Sequence, residues 1–187
     1  YHPSNIKDQP WVCGGCSDER GFSEGSQPMG IFRPVHLVVT NDVRIEPFGI
    51  HAWADISADQ IQLNIAATFK NYSQKNRNII VEHRLIDASG KEVSRITETN
   101  LQIKKGDLSE TKSKIVNLKF KIKLWSVENP YLYKIVSAIK ENNILLDKTE
   151  TEFGFRTINW KNPTNQFTLN GKPVFLNGIA EYEHLLG

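Results

Sequence analysis

The 187 residues carry 23 basic and 21 acidic side chains, a formal charge of +2, with 39% hydrophobic residues. That is enough apolar material for one packed core with flanking pieces, and the near balance of charge, with no basic cluster interleaved with aromatics, excludes nucleic acid as an expected partner. No apolar run approaches the roughly 20 residues that span a bilayer, which excludes a helical membrane segment.

Residues 1–28 are rich in Gly, Ser, Pro and charge and show no sustained periodicity, so a loop is expected there. Cys13 and Cys16 have C-x-x-C spacing, but no further cysteine completes a zinc site, and the Gly14-Gly15 centre does not open a helix as a thioredoxin-type motif would. They read as loop thiols, unpaired or locally bridged. From Ile31 to Ile50 the chain turns strand-like, with Val35, Leu37 and Val39 on one parity and a turn near Thr40-Asn41-Asp42 before Val43 and Ile45.

The cadence then becomes that of an antiparallel sandwich. Ile61, Leu63, Ile65, Ala67 and Phe69 alternate with Gln62, Asn64, Ala66, Thr68 and Lys70, predicting one buried and one wet face. After a polar break at 71–78, a strand through Ile79, Val81 and Leu85-Ile86 closes on Asp87-Ala88-Ser89-Gly90. A weaker pattern runs from Val93 to Ile103 and stops at Lys105-Gly106-Asp107, and Ile115 to Ile122 alternates again through Val116, Leu118 and Phe120. Lys119, Lys121 and Lys123 then share the opposite face, a solvent face or a guarded sheet edge.

Trp125 precedes Ser126-Val127-Glu128-Asn129-Pro130, and Pro130 delays pairing until Tyr131 or later, because proline lacks a ladder donor and holds its predecessor extended. Trp125 reads as a corner plug, the alternative being an exposed sugar-stacking platform. Tyr131 to Ile139 and Ile144 to Phe153 flank an Asn142-Asn143 turn, and Gly154-Phe155-Arg156 ends the series. Short strands, turns every 8 to 15 residues or so and no amphipathic helix predict an all-β fold, an immunoglobulin-like antiparallel β-sandwich.

Asn170-Gly171 is a strong hairpin signal, since a type I′ turn needs positive φ at both central residues. The run Val174 to Ile179 beyond it reads as a strand buried on both faces, the pattern of a parallel sheet, for which the remaining sequence offers no crossover helix. The final stretch therefore reads as the start of a further domain.

Four segments together carry a family resemblance: MGIFRPVHLVVT at Met29–Thr40, LWSVENPYLYKI at Leu124–Ile135, EFGFRTI at Glu152–Ile158, and FTLNGKPVFLNGIAEYEH from Phe167. In order and spacing they resemble consecutive landmarks of glycoside hydrolase family 2, the β-galactosidase, β-mannosidase and β-glucuronidase group. The resemblance implies a hydrolase in which a sugar-binding jelly roll, an immunoglobulin-like domain and a catalytic (β/α)8 barrel follow one another. On that pattern residues 1–40 are the tail of the jelly roll, 41–158 the sandwich, and 159–187 the linker, hairpin and first barrel strand. Trp125, Pro130, Tyr131, Gly154, Arg156, Asn170 and Gly171 become structural landmarks.

Family members cleave β-glycosides with retention, through two glutamates on later barrel strands, so the resemblance implies no catalytic residue in this stretch. Glu181 and Glu183 do not supply the pair. At i, i+2 on a strand they would project to one face about 7 Å apart, whereas retention needs carboxyls on opposite sides of the bond, about 5 to 5.5 Å apart. Where β-galactosidases of the family have Asn-Arg-His-Glu-His, this chain has Ala180-Glu181-Tyr182-Glu183-His184. The resemblance places Tyr182, Glu183 and His184 near substrate at the barrel mouth, or as buttresses of it, with Tyr182 where a sugar-holding histidine stands.

The expected partners are the chain's own jelly roll and barrel, carbohydrate through the barrel, and a second copy if the parent is a homo-oligomer. No cofactor is expected in this stretch, and a divalent cation, where there is one, is expected in the parent barrel. The function expected is the non-catalytic central domain of a β-galactosidase, the alternative being a carbohydrate-binding or adhesion module. The composition fits periplasmic, secreted and cytoplasmic settings equally.

Overall fold

The computed structural model describes residues 34–57, 60–116, 118, 122–160 and 166–178. Val39–Leu176 form one compact unit. The described residues of the other unit, 34–38 and 177–178, carry no strand, and Val35, Leu37 and Val38 are exposed.

The larger unit is an all-β, immunoglobulin-like sandwich. β1 (Val43–Ile56), β2 (Ile61–Asn71) and β5 (Leu108–Ile115) form a three-stranded antiparallel sheet in the order β1-β2-β5. β3 (Arg77–Ile86), β4 (Glu92–Ile103), β6 (Tyr133–Glu141) and β7 (Ile144–Phe153) form the other sheet, ordered β4-β3-β6-β7. The buried face read in β2 is realised, with Leu63, Ile65, Ala67 and Phe69 inside, but Asn64 of the expected wet face is buried too, donating to the Asp55 carboxylate at 2.8 Å. The apolar residues meet Ile79, Val81 and Leu85 of β3 and Ile135 and Ile139 of β6 in two clusters between the sheets. Burying a side chain such as Phe69 stabilises the fold by about 1.5–3 kcal/mol. Asp87-Ala88-Ser89-Gly90 turns as expected, with the Asp87 carboxylate accepting from the amides of Ser89 and Lys91.

Three stretches depart from the pattern read in the sequence. Residues 34–41 are not in a strand, and pairing starts at Val43. The edge strand before the bend is instead β5, which ends at Ile115; of the alternating residues 116–122, the described ones, Val116, Leu118 and Ile122, are in no strand. Lys119 and Lys121 lie outside the described residues. Val174 donates its N–H to the Phe167 carbonyl at 3.0 Å, but residues 174–178 are likewise in no strand, and Phe175 and Leu176 are exposed rather than buried. A parallel strand is held only by neighbours and a covering layer, and no described residue supplies either.

Within β1, Ile45 pairs with Phe69 and Ile50 with Ala67, so Glu46 to Gly49 bulge opposite the single residue Thr68. Phe48 takes φ 57° there and is fully exposed. Gly49 is forced by space, because a Cβ would stand 2.7 Å from the Glu46 carbonyl oxygen and 2.9 Å from that of Thr68.

A small third sheet joins β8 (Ile158–Asn159), β9 (Thr168–Leu169) and β10 (Lys172–Pro173). Its hairpin turns on Asn170 and Gly171, at φ 51° and 75°, the type I′ signature.

Candidate functional site

The landmark residues separated most widely in sequence converge on one corner of the sandwich. Trp125 donates its backbone N–H to the carbonyl of Phe155 at 2.8 Å, which ties the bend before β6 to the end of β7. Gly154 packs directly against the half-buried indole, where any Cβ would come within 3.0–3.1 Å of it. The Arg156 guanidinium lies over the same ring, 4.9 Å from its centroid, a cation–π contact contributing about 0.5–1 kcal/mol at an exposed site. A sugar-stacking platform needs a free ring face, and protein groups hold this one.

Asn170 completes the corner. Its side-chain amide donates to the Trp125 carbonyl at 2.9 Å, and its side-chain oxygen accepts from the Thr157 amide at 3.0 Å. Its own N–H donates to the Thr157 carbonyl at 2.9 Å. The hairpin turn is thereby locked to both segments of the corner, and Gly171 supplies the second positive φ of the turn.

Pro130 sits in a tight bend. Asn129 accepts from the amides of Ser126 and Tyr131, at 3.0 and 2.7 Å. Because that bend consumes the Tyr131 N–H, β6 begins two residues later, at Tyr133. The Tyr131 hydroxyl accepts from the Ala88 amide at 3.2 Å, and its ring meets Tyr133 edge-on, followed by Phe155 and Phe153 in a run of T-shaped contacts. The Lys123 ammonium lies 4.8 Å from the Tyr131 ring centroid.

Beside this corner the edges of the two sheets part. β7 is stitched to the start of β1 and the segment before it, by the Ile45 amide donating to Asp147 at 2.9 Å and by Asn41 donating to the Leu146 carbonyl at 2.7 Å. Further along lies a groove of about 560 Å³ lined by Trp53, Leu132, Glu152, Gly154, Arg156 and Ile158 among others. Trp53 keeps 38% of its surface exposed and lies 5.3 Å from His51, centroid to centroid.

The interior also holds a polar layer that hydropathy does not reveal. His83 is fully buried on β3 and shares a 2.8 Å hydrogen bond with Ser137. Burial lowers its pKa to about 4, against an opposing pull from Glu98. Ser113, buried on β5, donates to the Glu98 carboxylate and bridges the two sheets.

The sequence-predicted Tyr182, Glu183 and His184 lie outside the described residues, as do Glu181, Cys13 and Cys16. Among the described residues no group of three His, Cys, Asp or Glu is placed to hold a metal ion.

Comparison with known proteins follows the same outline. The family model for glycosyl hydrolases family 2 matches residues 43–156, from the start of β1 to Arg156. A β-galactosidase of Bacteroides ovatus is 29% identical over 160 residues, 83% of this chain and 18% of that protein. A putative β-glucuronidase of Formosa agariphila is 34% identical over 154 residues, 82% of this chain and 14% of that protein. Among solved structures, a β-glucuronidase from glycoside hydrolase family 2 superposes with a TM-score of 0.64 at 25% identity, covering 73% of this chain and 15% of that one. The chain thus spans less than a fifth of the length of these relatives. With the family model reaching across the whole sandwich, this chain belongs to glycosyl hydrolases family 2.

Proposed function

We propose that this chain is the non-catalytic central segment of a retaining β-glycosidase, and that the parent hydrolyses terminal β-galactosides. The observation that carries the reading is the coincidence of the family match with the sandwich: residues 43–156 are β1 to the Trp125 corner, while the relatives are several times longer. In this reading residues 1–40 close a jelly roll, 41–158 space it from the barrel, and 159–187 start the barrel. Tyr182, Glu183 and His184 then stand at the barrel mouth, near substrate. A divalent cation and a second copy of the chain belong, if anywhere, to the parent.

The chemistry of such a parent follows from its class. One carboxylic acid protonates the leaving oxygen while a second, about 5 to 5.5 Å away, attacks the anomeric carbon to form a glycosyl-enzyme that water then releases. The sandwich takes no part in those bonds; its contribution is to fix where the first barrel strand begins, through the Asn170 clamp on Trp125.

A second reading, that the parent cleaves β-glucuronides, is favoured by the names of the Formosa relative and of the superposed structure. The test is hydrolysis of p-nitrophenyl β-galactoside and p-nitrophenyl β-glucuronide by the full-length parent, with the 187-residue chain assayed alongside. Galactoside turnover by the parent, with none above buffer by the chain, is the expected result. Preference for the glucuronide establishes the second reading. Turnover by the chain alone, abolished by Glu181→Gln or Glu183→Gln, overturns the non-catalytic assignment.

A further inference from the structure

The groove between β1 and β7 combines three chemistries within one concavity. Its volume, about 560 Å³, is that of a small-molecule site. Trp53 brings an aromatic surface that is 38% exposed on an edge strand. Arg156 brings guanidinium donors, held in place by the stack on Trp125, and its side chain makes no ion pair to any other described residue. Glu152 brings a carboxylate that likewise forms no salt bridge or hydrogen bond with another described side chain.

These groups select among ligand classes. A phosphate or sulfate would pair with Arg156 but meet the Glu152 carboxylate in the same groove. An apolar ligand would strip water from both charged groups and return no hydrogen bond, which is costly. A pyranose ring satisfies all three: its hydroxyls both donate and accept, and its axial C–H face is apolar and flat enough to lie on an indole.

We infer that the β1–β7 groove is a saccharide-binding site on the sandwich itself. The sugar's C–H face lies on Trp53, its oxygens accept from Arg156, and its hydroxyls donate to Glu152. Gly154 is the residue that makes this arrangement compatible with the corner, since its missing side chain lets Trp125 close up and carry Arg156 to the groove.

The test is a ¹H–¹⁵N correlation titration of the 187-residue chain with methyl β-D-galactopyranoside and with methyl β-D-glucopyranosiduronic acid, each to about 50 mM. At least one glycoside is expected to shift the Trp53 indole N–H and the amides of residues 152–156 saturably. Trp53→Ala should weaken that binding at least about tenfold and Glu152→Gln about threefold, and Trp53→Phe should retain it, which keeps the result readable if the alanine variant is unstable. Three outcomes overturn the inference: no saturable shift with either glycoside, shifts that survive both Trp53→Ala and Glu152→Gln, or shifts produced only by an extended acetyl-(Val-Thr)3-amide peptide. The last would make the open strand edges, not the Trp53 surface, the recognition element. Loss of activity in the parent is no part of this readout, so it succeeds or fails independently of the assigned reaction.

Discussion

Gly154 and Trp125 meet so closely that a Cβ on the glycine would lie 3.0 Å from the Cβ of Trp125 and 3.1 Å from its Cγ and Cδ1. Gly154 has no positive φ to protect, so the constraint is one of space alone. Gly154→Ala is therefore expected to shift the indole by about a few tenths of an ångström and destabilise the chain by about 1–3 kcal/mol. Urea denaturation followed by tryptophan fluorescence checks this, and an unchanged midpoint would show that the corner yields without cost.

Asn170 holds the corner from the other side. Asn170→Ala removes the bonds to the Trp125 carbonyl and the Thr157 amide and leaves a Cβ-bearing residue at φ 51° without the side chain that favours it. A loss of about 2–3 kcal/mol is expected. Asn170→Gly loses the same bonds but relieves the backbone, and should fall between the alanine variant and the natural chain. Reversal of that order in chemical denaturation would refute the role of φ.

The β1 bulge makes two opposite predictions at adjacent positions. Gly49→Ala drives a Cβ into two carbonyl oxygens, at 2.7 and 2.9 Å, and should cost about 2 kcal/mol or more. Phe48→Gly removes a bulky residue from positive φ while giving up no buried contact, and should stabilise by about 1 kcal/mol. Thermal melts of the two variants should move in opposite directions.

Acid should loosen the fold before its carboxylates titrate. With His83 buried at a pKa of about 4, both folded and unfolded chains hold a neutral imidazole above pH 6.5 or so. Between there and pH 4 the unfolded chain binds a proton that the folded chain refuses, so stability falls as pH falls and then levels off. The full effect is on the order of 3 kcal/mol. Glu92 and Glu141, held low by hydrogen bonds from Arg95 and Arg77, lose their contributions only as pH falls below the ordinary carboxylate range. Urea midpoints at pH 7.5 and 5 should therefore differ for the natural chain, and His83→Leu should flatten the difference.

What the sequence made legible is what hydropathy writes directly. β2 and β3 alternate with large aliphatics, and Asn170-Gly171 has the only cheap chemistry for its turn, so both were readable. β5 was not, because two of its inward positions, Thr111 and Ser113, are polar and one finds its partner in Glu98 on another strand. Its outward lysines, Lys112 and Lys114, complete a segment that looks like loop by composition. The bulge did leave a mark, a Pro-Phe-Gly inside a strand-like run, since glycine within a strand signals close backbone approach. The corner left none beyond its family pattern: Trp125 and Asn170 are joined by a bond spanning 45 positions, which no local periodicity encodes.

That long bond has a mechanical meaning. Tension applied to the chain beyond Val174 would not first unzip β7 from β6. It would load first the β9–β10 hairpin, closed by Val174 donating to the Phe167 carbonyl, and then the Asn170 clamp, with its bonds to Trp125 and Thr157. The hairpin is thus held stiffly against the sandwich, and force or thermal motion arriving there is spread at once into the segment before β6 and the segment after β7.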